Sequence, residues 1–130
     1  MKTIYVCSPL RPISTDLEMA KAELNRNMER AENTCRWLSQ NGFMPLAPHL
    51  YFTRFLDDGD ARERTLGIDL GMKWLEQADE LWCVGDRISE GMQAEIDLAT
   101  RLGIPVYNVA EPQAGIVQET NPCDMSINML

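Results

Sequence analysis

Short apolar segments that read as strands alternate along this chain with longer segments of helical period, and this alternation limits the fold more than any other feature. Thr3-Ile4-Tyr5-Val6-Cys7 is β-rich and almost wholly apolar, as in a strand covered on both faces. Residues 8–12, with two prolines, break it. Leu17, Ala20, Leu24, Met28, Ala31, Cys35 and Leu38 then recur at three- and four-residue steps, which predicts a long helix. Ser14, Thr15 or Asp16 can cap its start, and Asn41-Gly42 ends it. Residues 43–47 form a second, short strand, and Pro45 places it at an edge or stops it early. Residues 48–52 lead into a polar stretch, 56–60, that reads as a mobile loop. A second helix is expected over about 61–78. Gly67, Gly71, Trp74 and Ala78 share one stripe of it, and its glycines predict a close approach there. A third strand over 80–84, a helix over 89–102 stopped by Gly103, and a fourth strand over 104–107 follow. Residues 109–130 are poorly periodic and read as a tail.

Strands joined through helices require right-handed crossovers, hence a parallel sheet. The expected fold is α/β: a three-layer, Rossmann-like or flavodoxin-like sheet of four to five strands with helices on both faces. The 130 residues suit a single domain. Ligands of such sheets bind beyond the carboxyl ends of the strands. That rule gathers residues 8–12, 48–51 and 85–91 at one edge.

The net charge of −8 disfavours broad binding to nucleic acid, which needs a basic surface. No apolar run reaches the roughly 18 residues of a membrane span. The N-terminus reads as a strand and lacks the features of a signal peptide, so the expectation is a cytoplasmic protein that meets no membrane. The four cysteines are scattered and the chain has one histidine, a pattern that argues against a zinc site. Neither a GxGxxG nor a Walker loop follows the first strand. No cofactor and no metal are expected.

Glu95 is the residue that breaks its own pattern. It lies three residues after Met92 and four before Ala99, inside the apolar stripe of the third helix. A carboxylate facing the interior is costly unless it is paired or meets a ligand. It is therefore either a structural glutamate bonded to a neighbouring loop or a reactive group. Ser89 is a good N-cap, and Gly91 lets a ligand approach the free N–H groups of the first turn. An ordinary cap explains the same residues. Ser8 and Arg11, directly after the first strand, can hold a phosphate or a sugar, although a plain surface arginine also fits. Tyr5 reads as a core aromatic or a catalytic hydroxyl. His49 has no partner visible in sequence.

Three stretches carry a family resemblance: Tyr5-Val6-Cys7-Ser8-Pro9-Leu10-Arg11, Trp74-Leu75-Glu76-Gln77-Ala78-Asp79-Glu80-Leu81-Trp82, and Ser89-Glu90-Gly91-Met92-Gln93-Ala94-Glu95. Together they resemble the nucleoside 2-deoxyribosyltransferase-like superfamily, closest to its 2'-deoxynucleoside 5'-phosphate N-hydrolase branch, and an uncharacterised, often phage-associated subfamily of it. The resemblance implies an N-glycosidase or deoxyribosyltransferase acting on a nucleoside, with a 5'-monophosphate as the expected form. Glu95 would be the nucleophile and Tyr5 would orient it. Ser8, Arg11, Ser89 and the helix N-terminus at Gly91 would hold the phosphate, with His49 nearby. The family's acid beside the leaving base aligns with Gly71, which leaves Asp69, two residues away, as the candidate. Pro9 also departs from the family's usual small residue. The resemblance further implies a homodimer or higher homo-oligomer, with 109–130 docked on the partner chain. The alternative is a nucleotide sensor or sponge that keeps the pocket and has lost the chemistry.

Overall fold

A computed structural model describes residues 1–112 and the backbone of residues 126–129. The chain runs β1 (Thr3–Cys7), α1 (Leu17–Gln40), β2 (Met44–Leu46), α2 (Pro48–Tyr51), a 3-10 turn (Phe52–Arg54), α3 (Ala61–Leu75), β3 (Glu80–Val84), α4 (Glu90–Leu102), β4 (Val106–Val109) and β5 (Ser126–Met129). The strands form one sheet in the order β2-β1-β3-β4-β5. β1 to β4 are parallel, and β5 pairs antiparallel with β4. This is the expected α/β fold.

The strand period of two divides the core between the sheet's faces. Tyr5, Cys7, Leu81, Cys83 and Val106 pack with Leu75, Met92, Ile96 and Ala99 of α3 and α4. Ile4, Val6, Trp82, Val84 and Val109 pack with Trp37 and Leu38 of α1. Helices therefore cover both faces, and Tyr5 points toward α4.

Several boundaries differ from the periodicity reading, each for a local reason. The N-terminal apolar stripe of α1 does not enter the core: Leu17 is 67% exposed, whereas Leu38 is fully buried. A 24-residue helix runs about 36 Å, while a five-residue strand runs about 16 Å, so the sheet covers only one half of it. Residues 48–54, to which the periodicity reading gave no element, are helical. Pro48 begins α2, where a missing N–H costs nothing. Tyr51 and Phe52 then stack against Trp74, with centroids 5.2 and 4.7 Å apart, which fixes this segment on α3. α3 stops at Leu75, three residues early, as Gln77 and Ala78 bond back to Trp74 and Leu75 in tight turns. The fourth strand starts at Val106 because the Ile104 N–H returns to Ala99 around Gly103, which has φ of +74°. Residues 113–125 and 130 lie outside the described residues, so most of the tail expected to dock on a partner does too. Residues 126–129 pair with this chain's own β4.

One glycine is set by backbone geometry at the edge where ligands are expected. Gly85, directly after β3, has φ of +135°, and an added Cβ would sit 3.0 Å from Pro9 Cδ. Pro9 is accommodated because Gly85 lacks a side chain. Gly85→Ala is expected to cost on the order of 2 kcal/mol, from left-handed backbone plus the clash. Thermal melting should show a drop of about 6–10 °C. An unchanged melting temperature would mean that the loop relaxes freely.

Candidate active site

Strand order reverses between β1 and β3, since β1 continues to β2 on one side and β3 to β4 on the other. Beyond the carboxyl ends of these strands lies a cavity of about 330 Å³. Its wall on one side is the helical segment after β2, with Pro48, His49, Phe52, Thr53 and Leu56. α3 contributes Glu63, Arg64, Gly67, Ile68, Gly71 and Met72, and the first turns of α4 contribute Glu90, Gly91, Ala94 and Glu95. Tyr5, Leu10 and Asp58 complete it.

Glu95 is 7% exposed, among Met92, Ile96 and Ala99, and lines this cavity. Tyr5, 2% exposed, donates its hydroxyl proton to Glu95 Oε2. The Cys7 thiol lies 3.8 Å from Glu95 Oε1. Burial pushes the Glu95 carboxyl up to about 7, with the Tyr5 and Cys7 hydrogen bonds pulling the other way. Burial and the Glu95 charge together hold the Tyr5 phenol well above its ordinary range, so it stays protonated and keeps a proton to donate to the carboxylate. The result is a carboxylate that ionises near neutrality, oriented on one oxygen and set in an apolar cavity.

α3 comes close to this pair because Gly71 has no side chain. A Cβ there would meet Pro48 Cβ at 3.3 Å and the Tyr5 hydroxyl at 3.5 Å. The close approach expected from the helix's glycines is thus between α3, α2 and Tyr5.

The other predicted residues divide. Gly91 and His49 line the cavity. Burial lowers the His49 imidazole's pKa, against the pull of Asp58 and of a hydrogen bond to the Ser8 backbone, so it is neutral at pH 7. Ser89 Oγ accepts the Met92 N–H at 3.2 Å and acts as the N-cap of α4. Ser8 is 1% exposed and lies outside the lining. Arg11 is exposed and also outside it; its Nε donates to Asp58 Oδ2 at 3.0 Å and its Nη2 to the Asp58 carbonyl at 3.2 Å. Asp69 is exposed, on a side of α3 away from the lining formed by Arg64, Ile68 and Gly71. The fold therefore joins Tyr5, Glu95, His49 and Gly91, and leaves Ser8, Arg11, Asp69 and Ser89 outside the cavity lining.

Sequence reasoning missed Asp58, Glu63, Arg64 and Glu90 as lining residues. Arg64 was legible: it precedes Gly67 and Gly71 at helical spacing, on the stripe already singled out. Asp58 was not, since its place depends on how the loop before α3 folds.

A family model described as "Domain of unknown function (DUF7768)" matches residues 2–109. The chain belongs to that family. No curated protein matches its sequence. Among solved structures, it is similar to a 2-deoxyribosyltransferase from the psychrotolerant bacterium Bacillus psychrosaccharolyticus. The two are 21% identical, the match covers 89% of this chain and 77% of that one, and the TM-score is 0.57. At that identity the likeness is one of fold. Among the described residues, no helix is long and apolar enough to cross a membrane.

Proposed function

We propose that this protein cleaves or exchanges the N-glycosidic bond of a deoxynucleoside, with Glu95 as the nucleophile. The observation that carries this reading is the buried Glu95 carboxylate, held by Tyr5 and open to an apolar cavity at the sheet's switch point. A carboxylate oxygen attacks C1' of the sugar, and the C1'–N bond breaks with its electron pair leaving on the base. A glycosyl ester on Glu95 results. Water, or an N–H nitrogen of a second base, then attacks C1', the ester C1'–O bond breaks, the attacking group's proton goes to neutralise the released base anion, and the carboxylate is restored. This is the two-step logic of retaining glycoside chemistry. The apolar walls keep bulk water from the ester and offer Phe52 and Met72 as surfaces for a base. The similarity to a 2-deoxyribosyltransferase agrees with this reading.

The expectation of a 5'-phosphate fares less well than that of a nucleoside. Arg11 is paired with Asp58, Ser8 is outside the lining, and Ser89 Oγ is engaged in capping.

One observation favours a second reading, a binding protein without chemistry: Asp69, the expected acid beside the leaving base, is exposed and outside the cavity. Base release from a panel of deoxynucleosides and their 5'-monophosphates, followed by liquid chromatography, separates the two. Release by the natural chain and not by Glu95→Gln is the expected result. A ligand-induced rise in melting temperature without any release would instead establish the binding protein.

A further inference from the structure

The ion pair at the cavity mouth is arranged with its negative member inside. Asp58 lines the cavity and Arg11 does not. Two bonds from the guanidinium, to the carboxylate and the carbonyl of Asp58, hold Arg11 there. Its main chain is held too, since the Arg87 Nη2 donates to the Arg11 carbonyl at 2.8 Å. The loops after β1 and β3 and the loop before α3 thus meet around one locked arginine. Among the described residues, the lining holds four carboxylates, those of Asp58, Glu63, Glu90 and Glu95, and one guanidinium, that of Arg64. The charges on the cavity's otherwise apolar lining are mostly negative, which suits a neutral sugar and opposes a phosphate dianion.

We infer that Asp58 sets substrate charge: it keeps Arg11 out of the cavity and a carboxylate in it, so the site takes a nucleoside and rejects its 5'-monophosphate. This rests on the nucleoside reading above and names the residue that selects within it. Arg11 is then a latent phosphate ligand, within reach of the mouth and withheld by its partner. The pair is solvent-exposed, with side chains 56% and 36% accessible, so breaking it leaves the fold intact.

The test is calorimetric binding at pH 8, where the monophosphate is a dianion, using matched deoxynucleosides and 5'-monophosphates. Three proteins are compared: the natural chain, Asp58→Asn, and Asp58→Asn with Arg11→Ala. The natural chain is expected to bind the nucleoside at least about tenfold more tightly than the monophosphate. Asp58→Asn should bring the two within about threefold, and adding Arg11→Ala should undo most of that gain. Tighter binding of the monophosphate by the natural chain overturns the inference, and so does an unchanged ratio in Asp58→Asn. A gain undiminished in the double variant overturns the part assigned to Arg11. Binding with an unchanged ratio sinks this inference alone. Absence of nucleoside binding in all three proteins sinks the nucleoside reading beneath it.

Discussion

Glu95→Gln is expected to raise the melting temperature at pH 8, to leave it nearly unchanged at pH 4.5, and to abolish base release. The opposing directions follow from one titration. In the folded chain the Glu95 carboxyl is pushed up to about 7, whereas an unfolded glutamate titrates near about 4.3. Between these two values the folded state keeps a proton that the unfolded state has released. Stability therefore falls as pH rises from about 4.3 through 7, and the loss is complete above that. It amounts to roughly 4 kcal/mol, at 1.36 kcal/mol per unit of pKa. Below about 4.3 both states are protonated and no difference remains. Glutamine is neutral throughout and still accepts the Tyr5 hydroxyl, but its amide needs a partner of its own, which returns about 1 kcal/mol. A net gain on the order of 3 kcal/mol at pH 8, read as about 9–15 °C, is the expected balance. On the proposed mechanism, turnover should fall by at least about a thousandfold, because a neutral amide is too poor a nucleophile to replace the carboxylate. A glutamine variant that melts below the natural chain at pH 8 would show that the charged form is a structural partner. On the proposed mechanism, that lost stability is what keeping a reactive charge in the cavity costs.

Glu95 was legible in sequence because an acid on an apolar helical stripe violates a pattern that physics enforces elsewhere. Tyr5 was legible only with the resemblance, since an aromatic in a buried strand is the ordinary case. Its pairing with Glu95 comes from the sheet: the period of two turns Tyr5 to the α4 face, and the register of β1 against β3 brings it level with Leu81. The Asp79 carboxylate, just before β3, accepts the Thr3 N–H at 2.7 Å and fixes that same pair of strands. Strand and helix identities followed from period, because one face of each element must be buried. What did not follow was side-chain placement in the loops. Arg11 read equally well as a phosphate ligand or a surface arginine, and the outcome depended on Asp58, 47 residues away, which no local pattern announces. Asp69 failed for a simpler reason. On α3 the stripe through Arg64, Ile68 and Gly71 faces the cavity, and one residue past Ile68 is about 100° around the helix.

Tyr5→Phe separates a positioning role for the hydroxyl from a merely packed ring. The ring stays, so the core cluster with Leu81 and Met92 is kept. Only the bond to Glu95 Oε2 is lost, which leaves that oxygen in apolar surroundings and the Cys7 thiol as the remaining neighbour within bonding reach on the other oxygen. In the natural chain the hydroxyl lowers the Glu95 pKa against the rise caused by burial. Without it the carboxyl must climb above 7, by roughly one unit for the loss of a hydrogen bond to a charge. The acid limb of kcat/KM should move up with it. At pH 7 the variant is expected to lose about tenfold in kcat/KM, and part of that loss should be recovered at pH 9. The Tyr5 phenol itself adds no basic limb in this range, since burial and the neighbouring carboxylate keep it protonated. A loss of equal size at every pH would place Tyr5 among the packing residues and leave Glu95 with its charge set by burial alone. Titration of carbon-13-labelled glutamate reads the same shift without turnover, so the role of Tyr5 is decided even for a protein that binds its nucleoside and leaves it whole.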